Sequence, residues 1–207
     1  MKKLEKIKTW IGLFVNRPYI PEKLQKAKGP LLLHISDTPQ EIYSYILLLV
    51  KAVNPSYIIH TGDLVDNIKL EICPQEIEGY RSSLKRFVSQ LEGCSKASIY
   101  YVMGNHDKAE IVQGVSERGI VMLEGHIMIE GIQFYVSHYH LEEEVKSQYY
   151  LFGHSFKPSS YKIHQQIGLN GVEGINVIDL GTQQIHRLPY PFGTNQFRKM
   201  EQRKIGL

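Results

Sequence analysis

Thiols are scarce in this 207-residue chain: Cys73 and Cys94 are the only cysteines. Neither has a partner at zinc-knuckle or Cys-x-x-Cys spacing, so neither a disulfide framework nor a structural zinc knot organises the fold. The pair reads as the buried or incidental thiols of a reducing, cytoplasmic setting, with a bond between them as the minor alternative. Long apolar runs are missing too. The run Trp10 to Val15 is stopped by Asn16 and Arg17. That is short for a signal-peptide core and far below the roughly 20 residues of a membrane span. There is no Gly-x-x-x-x-Gly-Lys-Ser/Thr loop and no Gly-x-Ser-x-Gly elbow, which removes P-loop nucleotide chemistry and serine hydrolysis. No internal repeat, low-complexity tract or linker interrupts residues 29–192.

Excess charge is also small, at +3, but it is unevenly placed. Residues 1–28 carry eight Lys/Arg against two Glu, and residues 193–207 carry four against one. The body between them is therefore acidic, at −6. The division expected is a basic N-terminal extension (1–28), a single domain (29–192) and a basic C-terminal tail (193–207). An acidic body suits a carboxylate-lined cation site and does not suit a broad nucleic-acid groove. With 43% apolar and 22% charged residues the chain has ordinary globular composition and enough length to bury a sizeable core.

Leu4, Ile7, Ile11 and Phe14 recur at helical spacing with lysines between them, which predicts a short amphipathic basic helix over 4–15. Two readings stay open for it: packing back on the domain, or weak contact with an anionic membrane surface or a partner. Beyond Pro18, Pro21 and Pro30 the pattern changes. Residues 31–36 are a nearly continuous apolar run, as in a strand buried on both faces. Residues 41–53 read as a helix, 57–61 as a strand, 75–92 as a helix and 99–103 as a strand. This β-α-β-α-β order implies a parallel sheet with crossover helices. The second half is richer in strands, at 121–123, 127–129, 134–137, 149–152, 174–180 and 183–188, with a hairpin turn at Glu130-Gly131.

The chemistry follows the strands. Asp37 comes after the first and Gly62-Asp63-Leu64-Val65-Asp66 after the second. Gly104-Asn105-His106-Asp107 comes after the third. His138 and His140 follow the strand at 134–137, and Gly153-His154 follows 149–152. Ligands of open α/β sheets bind outside the carboxyl ends of strands. A carboxylate, an amide oxygen and two imidazoles form a mixed oxygen and nitrogen donor set, suited to manganese, iron or zinc rather than calcium. Gly62, Gly104 and Gly153 are expected where the chain turns sharply off a strand.

This pattern resembles the calcineurin-like metallophosphoesterase superfamily over about residues 31–190. The family pattern is Asp-x-His, Gly-Asp-x-x-Asp, Gly-Asn-His-Asp/Glu, a lone His, and Gly-His-x-His. Here it stands as Asp37-Thr38-Pro39, Gly62-Asp63-Leu64-Val65-Asp66, Gly104-Asn105-His106-Asp107, His138 and Gly153-His154-Ser155-Phe156. The resemblance implies an α/β fold of two packed mixed β-sheets flanked by helices, a four-layer sandwich. It also implies two metals about 3.5–4 Å apart that clamp the attacking and leaving oxygens of a phosphoester. Carried over residue by residue, one site is complete, with Asp63, Asn105, His138 and His154. The other keeps Asp37 and the shared Asp63 but has Pro39 and Phe156 in place of its two histidines.

The expectation is one divalent ion rather than two, acting on a phosphorylated small molecule. The resemblance gives His106 the task of assisting the leaving group and leaves Asp37 to orient the attacking water. The alternative is a fold that has lost catalysis and binds a protein or membrane partner. His140 or His60 as a substitute ligand is a further variant. His34 and His60 otherwise read as satisfied core histidines, His126, His164 and His186 as surface or packing residues, and Asp66 and Asp107 as groups that orient the loops.

Overall fold

A computed structural model of the protein describes residues 3–143 and 145–198. Expectations for the C-terminal tail from 199 onward lie outside the described residues. The chain opens with two helices, α1 (Lys3–Phe14) and α2 (Glu22–Gln25). The first sheet then takes β1 (Leu31–Ile35), β2 (Tyr57–Thr61), β3 (Ser98–Val102) and β4 (Ile120–Met122) as parallel neighbours. Their crossovers carry α3 (Tyr43–Val53), α4 (Ile77–Cys94) and the short α5 (Ala109–Val115). The second sheet follows, from β5 (Gly125–Ile129), β6 (Ile132–Val136), β7 (Tyr149–Phe152), β8 (Tyr161–Ile163) and β9 (Gln166–Asn170). Its order is β5-β6-β7-β9-β8, with β6, β7 and β9 parallel and hairpins at both edges. The chain returns to the first sheet with β10 (Ile175–Asp179) and β11 (Gln184–Leu188), both added antiparallel on the free side of β1, and ends in α6 (Thr194–Phe197). Two mixed sheets packed together with helices against them is the architecture the resemblance implies.

Apolar alternation explains the layers. On β1, Leu31, Leu33 and Ile35 face one way and Leu32 the other, because successive side chains of a strand point to opposite faces. The odd-numbered set joins Ile58, Ile99 and Val177 in a core with the helices. In α4, Tyr80, Leu84, Phe87, Val88 and Leu91 are buried at helical spacing and supply the helix side of that core. Leu32 joins Ile59, Val102 and Ile178 in a second core, against Phe134, Val136, Tyr149 and Leu151 of the other sheet. The outer face of the second sheet is covered by Tyr135, Tyr150 and Phe152 with Leu141, Val145 and Tyr161.

The parallel register aligns the carboxyl ends: Ile35 lies opposite His60, Thr61 opposite Val102, and Val136 opposite Leu151. All five strands that precede a candidate site residue therefore empty onto one rim. The β8–β9 hairpin and the short helices α2, α5 and α6 have no counterpart among the elements expected from the sequence, and the remaining elements match within about two residues at most boundaries. Cys73 and Cys94 are free thiols. No helix among the described residues is long and apolar enough to cross a membrane.

Candidate metal centre

Backbone conformation at the rim is unusual. Asp37, Asp63 and His154 all take positive φ, at 51°, 54° and 64°. Left-handed backbone is uncommon for residues with a Cβ and persists where the surroundings impose it, most often at functional sites. Gly62, just before Asp63, sits at φ 95°, where only glycine is at ease. Gly104 is different. Its φ is ordinary, and what it supplies is close approach: a Cβ there would collide with Asp63 Oδ1 and with the Asp63 amide. The residue without a Cβ expected at each strand exit is thus required by backbone conformation at Gly62 and by close packing at Gly104 and at Gly153, where a Cβ would collide with Ser36.

Asp107 ties the loops together. Its carboxylate accepts the amides of Asp63 (2.7 Å), Leu64 (3.0 Å) and Gly104 (2.9 Å) and the Tyr80 hydroxyl (2.9 Å). One buried side chain thereby fixes the exits of β2 and β3 relative to α4. Asp63 in turn accepts the His106 amide at 3.1 Å through Oδ1, which leaves Oδ2 directed toward His138. Asp107 is one of the two aspartates expected to orient the loops, and its partners are the ligand loops themselves.

Around His138 four donors converge. Nδ1 of His138 lies 2.8 Å from the Thr61 carbonyl, so Nδ1 carries the proton and Nε2 presents a lone pair. That Nε2 lies 3.1 Å from Asn105 Oδ1, 3.2 Å from His154 Nδ1 and 3.7 Å from Asp63 Oδ2. Asn105 donates its amide nitrogen to Glu71 Oε2 at 2.5 Å, which fixes the oxygen toward the histidine. Donors about 2.0–2.2 Å from a common ion stand about 3.0–3.6 Å from one another, close to these separations. Several lone pairs turned on one point repel each other unless a cation lies between them. The residues present therefore fit a divalent ion.

Protons compete with a cation for these donors. Burial pushes the Asp63 carboxyl up to about 7 despite His138 beside it. Burial acts downward on His138, but Asp37 and Asp63 outweigh it and raise its pKa. Burial acts upward on Asp37, yet His138, Arg198, the Ser36 hydroxyl and the His154 amide together hold it below the usual carboxylate range. Asp37, Asp63 and His138 bring donor atoms within 4.8 Å of one another. Ser36 Oγ (2.5 Å) and the His154 amide (3.1 Å) both take Asp37 Oδ2.

The other half of the expected pair is not rebuilt. Pro39 and Phe156 offer no donor atom. His140 lies in the aromatic cluster, stacked on Tyr150 with ring centres 5.1 Å apart and Nε2 3.1 Å from the Tyr161 hydroxyl. His60 is buried, with Nε2 2.6 Å from Thr38 Oγ1 and its ring edge-on to Phe87. Neither stands in as a ligand, and both are corrections to that variant. His34 is a satisfied core histidine, between Thr61 Oγ1 and the Asn176 amide.

Three residues at the site went unnoticed in the sequence. Tyr139 lays its ring 4.3 Å from that of His154 at the mouth. Lys69 pairs with the buried Asp66 carboxylate and acts, after burial itself, to push His106 down to about 4. Arg198 is fully buried. Its guanidinium donates to the carbonyls of Asp37 (2.8 Å), Val172 (2.8 Å) and Ser36 (3.2 Å), and to Asn195 Oδ1 (2.9 Å). Its flat face covers the Tyr190 ring at 4.4 Å. Residues 194–198, expected within the basic tail, pack on the domain and brace the loop that carries Asp37. A charged side chain sequestered this far depends on carbonyl partners distant in sequence, and no local pattern announces them.

Comparison with known proteins adds a family. The calcineurin-like phosphoesterase family model matches residues 30–188. Among curated proteins none matches the sequence. Solved structures that share the fold include two phosphoesterases. One, described as a novel archaeal phosphodiesterase, is 16% identical with a TM-score of 0.56, covering 76% of this chain and 98% of its own. The other, Yfce, a phosphoesterase from E. coli, is 16% identical with a TM-score of 0.50, covering 75% and 96%.

Proposed function

The chain belongs to the calcineurin-like phosphoesterase family, and on that premise we propose that it is a phosphoester hydrolase working with one divalent transition-metal ion held by Asp63, Asn105, His138 and His154. The observation that carries this reading is the convergence of three donors on His138 Nε2 at 3.1–3.7 Å. A bound manganese, iron or zinc ion supplies an activated water, lowering its pKa from 15.7 to about 7, and polarises a phosphoryl oxygen.

The chain's own residues do the rest. Asp37 stays ionised, and with Oδ2 taken by Ser36 and His154 its Oδ1 is the oxygen left to accept a hydrogen bond from the attacking water and orient it. Burial keeps the His106 ring neutral at neutral pH, so it retains one N–H to donate to the leaving oxygen rather than a full positive charge. Lys69, next to it, contributes the fixed positive charge that draws in a phosphoryl group. The substrate is a phosphorylated small molecule.

The test is metal content by mass spectrometry together with hydrolysis of aryl phosphate and bis-aryl phosphate in added manganese. One ion per chain and turnover that falls at least a hundredfold in His106→Ala is the expected result. Pro39 and Phe156 favour a second reading, a binding protein that has given up catalysis. An ion bound by the four ligands with no turnover on either ester would select it.

A further inference from the structure

α1 turns its apolar face away from the domain. At about 100° per residue, Leu4, Ile7, Trp10, Ile11 and Phe14 share one side of the helix. All five are exposed, Leu4 at 61%, Trp10 at 64% and Phe14 at 84%. The side that meets the domain is the opposite one. Gly12 is buried there, where a Cβ would collide with the Arg17 carbonyl, Leu13 packs on the helix-side core, and Thr9 and Glu5 are half-buried. Packing has therefore used the opposite face and left the apolar one largely exposed. The sequence reading left packing back and surface contact as alternatives. The helix does pack back, but through the wrong face to satisfy its own hydrophobic residues.

Charge names the occupant. Lys6 and Lys8 are exposed, and by the same helical geometry they lie on either side of the apolar face. Arg17, Lys23 and Lys28 are exposed as well, and residues 1–28 together carry +6. A second copy of this face would bring the same lysines against each other. A nucleic acid would not repay burial of Trp10, Ile11 and Phe14. An apolar stripe with lysines on both rims is the form of a helix lying in an anionic lipid interface, where ammonium groups reach headgroups and the stripe enters the acyl boundary. The stripe continues onto the domain: Trp10 meets Phe192 at 5.3 Å between ring centres, and Phe192 is itself half exposed. Phe192 and Phe156 line one groove, and Phe156 is two residues past His154.

We propose that α1 docks the protein on anionic bilayers through Leu4, Ile7, Trp10, Ile11 and Phe14, with Lys6 and Lys8 on the headgroups. The full chain should sediment with vesicles of equal phosphatidylcholine and phosphatidylglycerol and stay in solution with pure phosphatidylcholine. Each lysine near such a surface is worth about 1 kcal/mol, so Lys6→Gln with Lys8→Gln should weaken partitioning about thirtyfold. Ile7→Glu with Ile11→Glu should abolish it. Both pairs are exposed, and an unchanged melting temperature will show that the fold is intact. Three results would overturn the proposal. One is no sedimentation with anionic vesicles. Another is equal partitioning into both vesicle types. The third is a dimer in sedimentation equilibrium that Ile7→Glu with Ile11→Glu dissolves while vesicle binding is absent. None of these readouts depends on turnover.

Discussion

Removing the charge that His34 can acquire should flatten the acid side of the stability curve. His34 and His60 are fully buried in neighbouring strands of the first sheet. Burial pushes each from 6.5 down to about 3. The contacts of His34 show why. Asn176 donates its amide to Nδ1 at 3.2 Å, and Nε2 faces Thr61 Oγ1 at 2.9 Å, so a second ring proton would oppose the amide. The folded value lies below the unfolded one. The stability from keeping this ring neutral is therefore complete above about pH 6.5 and lost as pH falls toward 3. Across that window each ring costs about 1.4 kcal/mol per pH unit, or roughly 2.7 kcal/mol between pH 6.5 and 4.5. Two such rings remove about 5 kcal/mol, a large part of the 5–15 kcal/mol typical of a domain. The assay is urea unfolding of metal-free protein at steps from about pH 7.5 to 4.5, for the wild type and His34→Gln. Glutamine keeps polar atoms near Nε2 and has no proton to gain. The variant should lose about 1–2 kcal/mol at pH 7.5 and then lose stability less steeply, by the slope of one proton. Asp63 and Asp66, whose raised values act with opposite sign, are present in both proteins and cancel in the difference. Parallel pH profiles for the two proteins between 6.5 and 4.5 would refute the reasoning.

Other residues make separate claims. Asp107→Asn takes an acceptor from the Asp63, Leu64 and Gly104 amides; metal affinity measured against a chromophoric chelator should fall 10–100-fold, and an unchanged affinity would remove Asp107 from its orienting role. Arg198→Met leaves the Asp37, Ser36 and Val172 carbonyls without their donors and should cost about 3 kcal/mol in urea unfolding; a loss below about 0.5 kcal/mol would show that the arginine braces nothing. Gly104→Ala places a Cβ against Asp63 Oδ1, so metal binding should be lost by calorimetry while the helical circular dichroism persists; full metal binding would contradict the close approach.

Much of the rim was readable because most strands there are apolar runs that end abruptly near a glycine or an aspartate, and β6 is followed by Ser137-His138. The runs 31–35, 57–61 and 149–152 have almost no polar residue to blur their edges, and Asp63, Asn105, His138 and His154 follow directly on strand ends. Tyr161–Ile163 and Gln166–Asn170 were missed for the opposite reason: Lys162, His164 and Gln165 leave no clean alternation, and the hairpin takes its order from β7 beside it. α1 was readable as a helix and not as a surface, since periodicity gives a face without saying which way it points. Arg198 was invisible because nothing near it in the chain explains its burial. Two residues apart on an extended chain, His138 and His140 would share a side; the chain instead bends at 138–139 and carries His140 to Tyr150 and Tyr161.

β1 is the seam where the chain closes on itself. Its neighbour on one side, β2, begins 22 residues beyond the end of β1, whereas its neighbour on the other, β10, pairs Leu31 with Asp179. On a ribosome, every ligand of the proposed ion has been made by residue 154, while the strand that covers β1 and the arginine that braces its exit are still to come. During that interval the emerging half-sheet exposes the β1 edge that β10 later covers, a template for any other extended chain. Chaperone occupancy on nascent chains should therefore peak between completion of the ligands and emergence of β10, and slowing translation over 155–179 should increase insoluble product more than slowing it elsewhere.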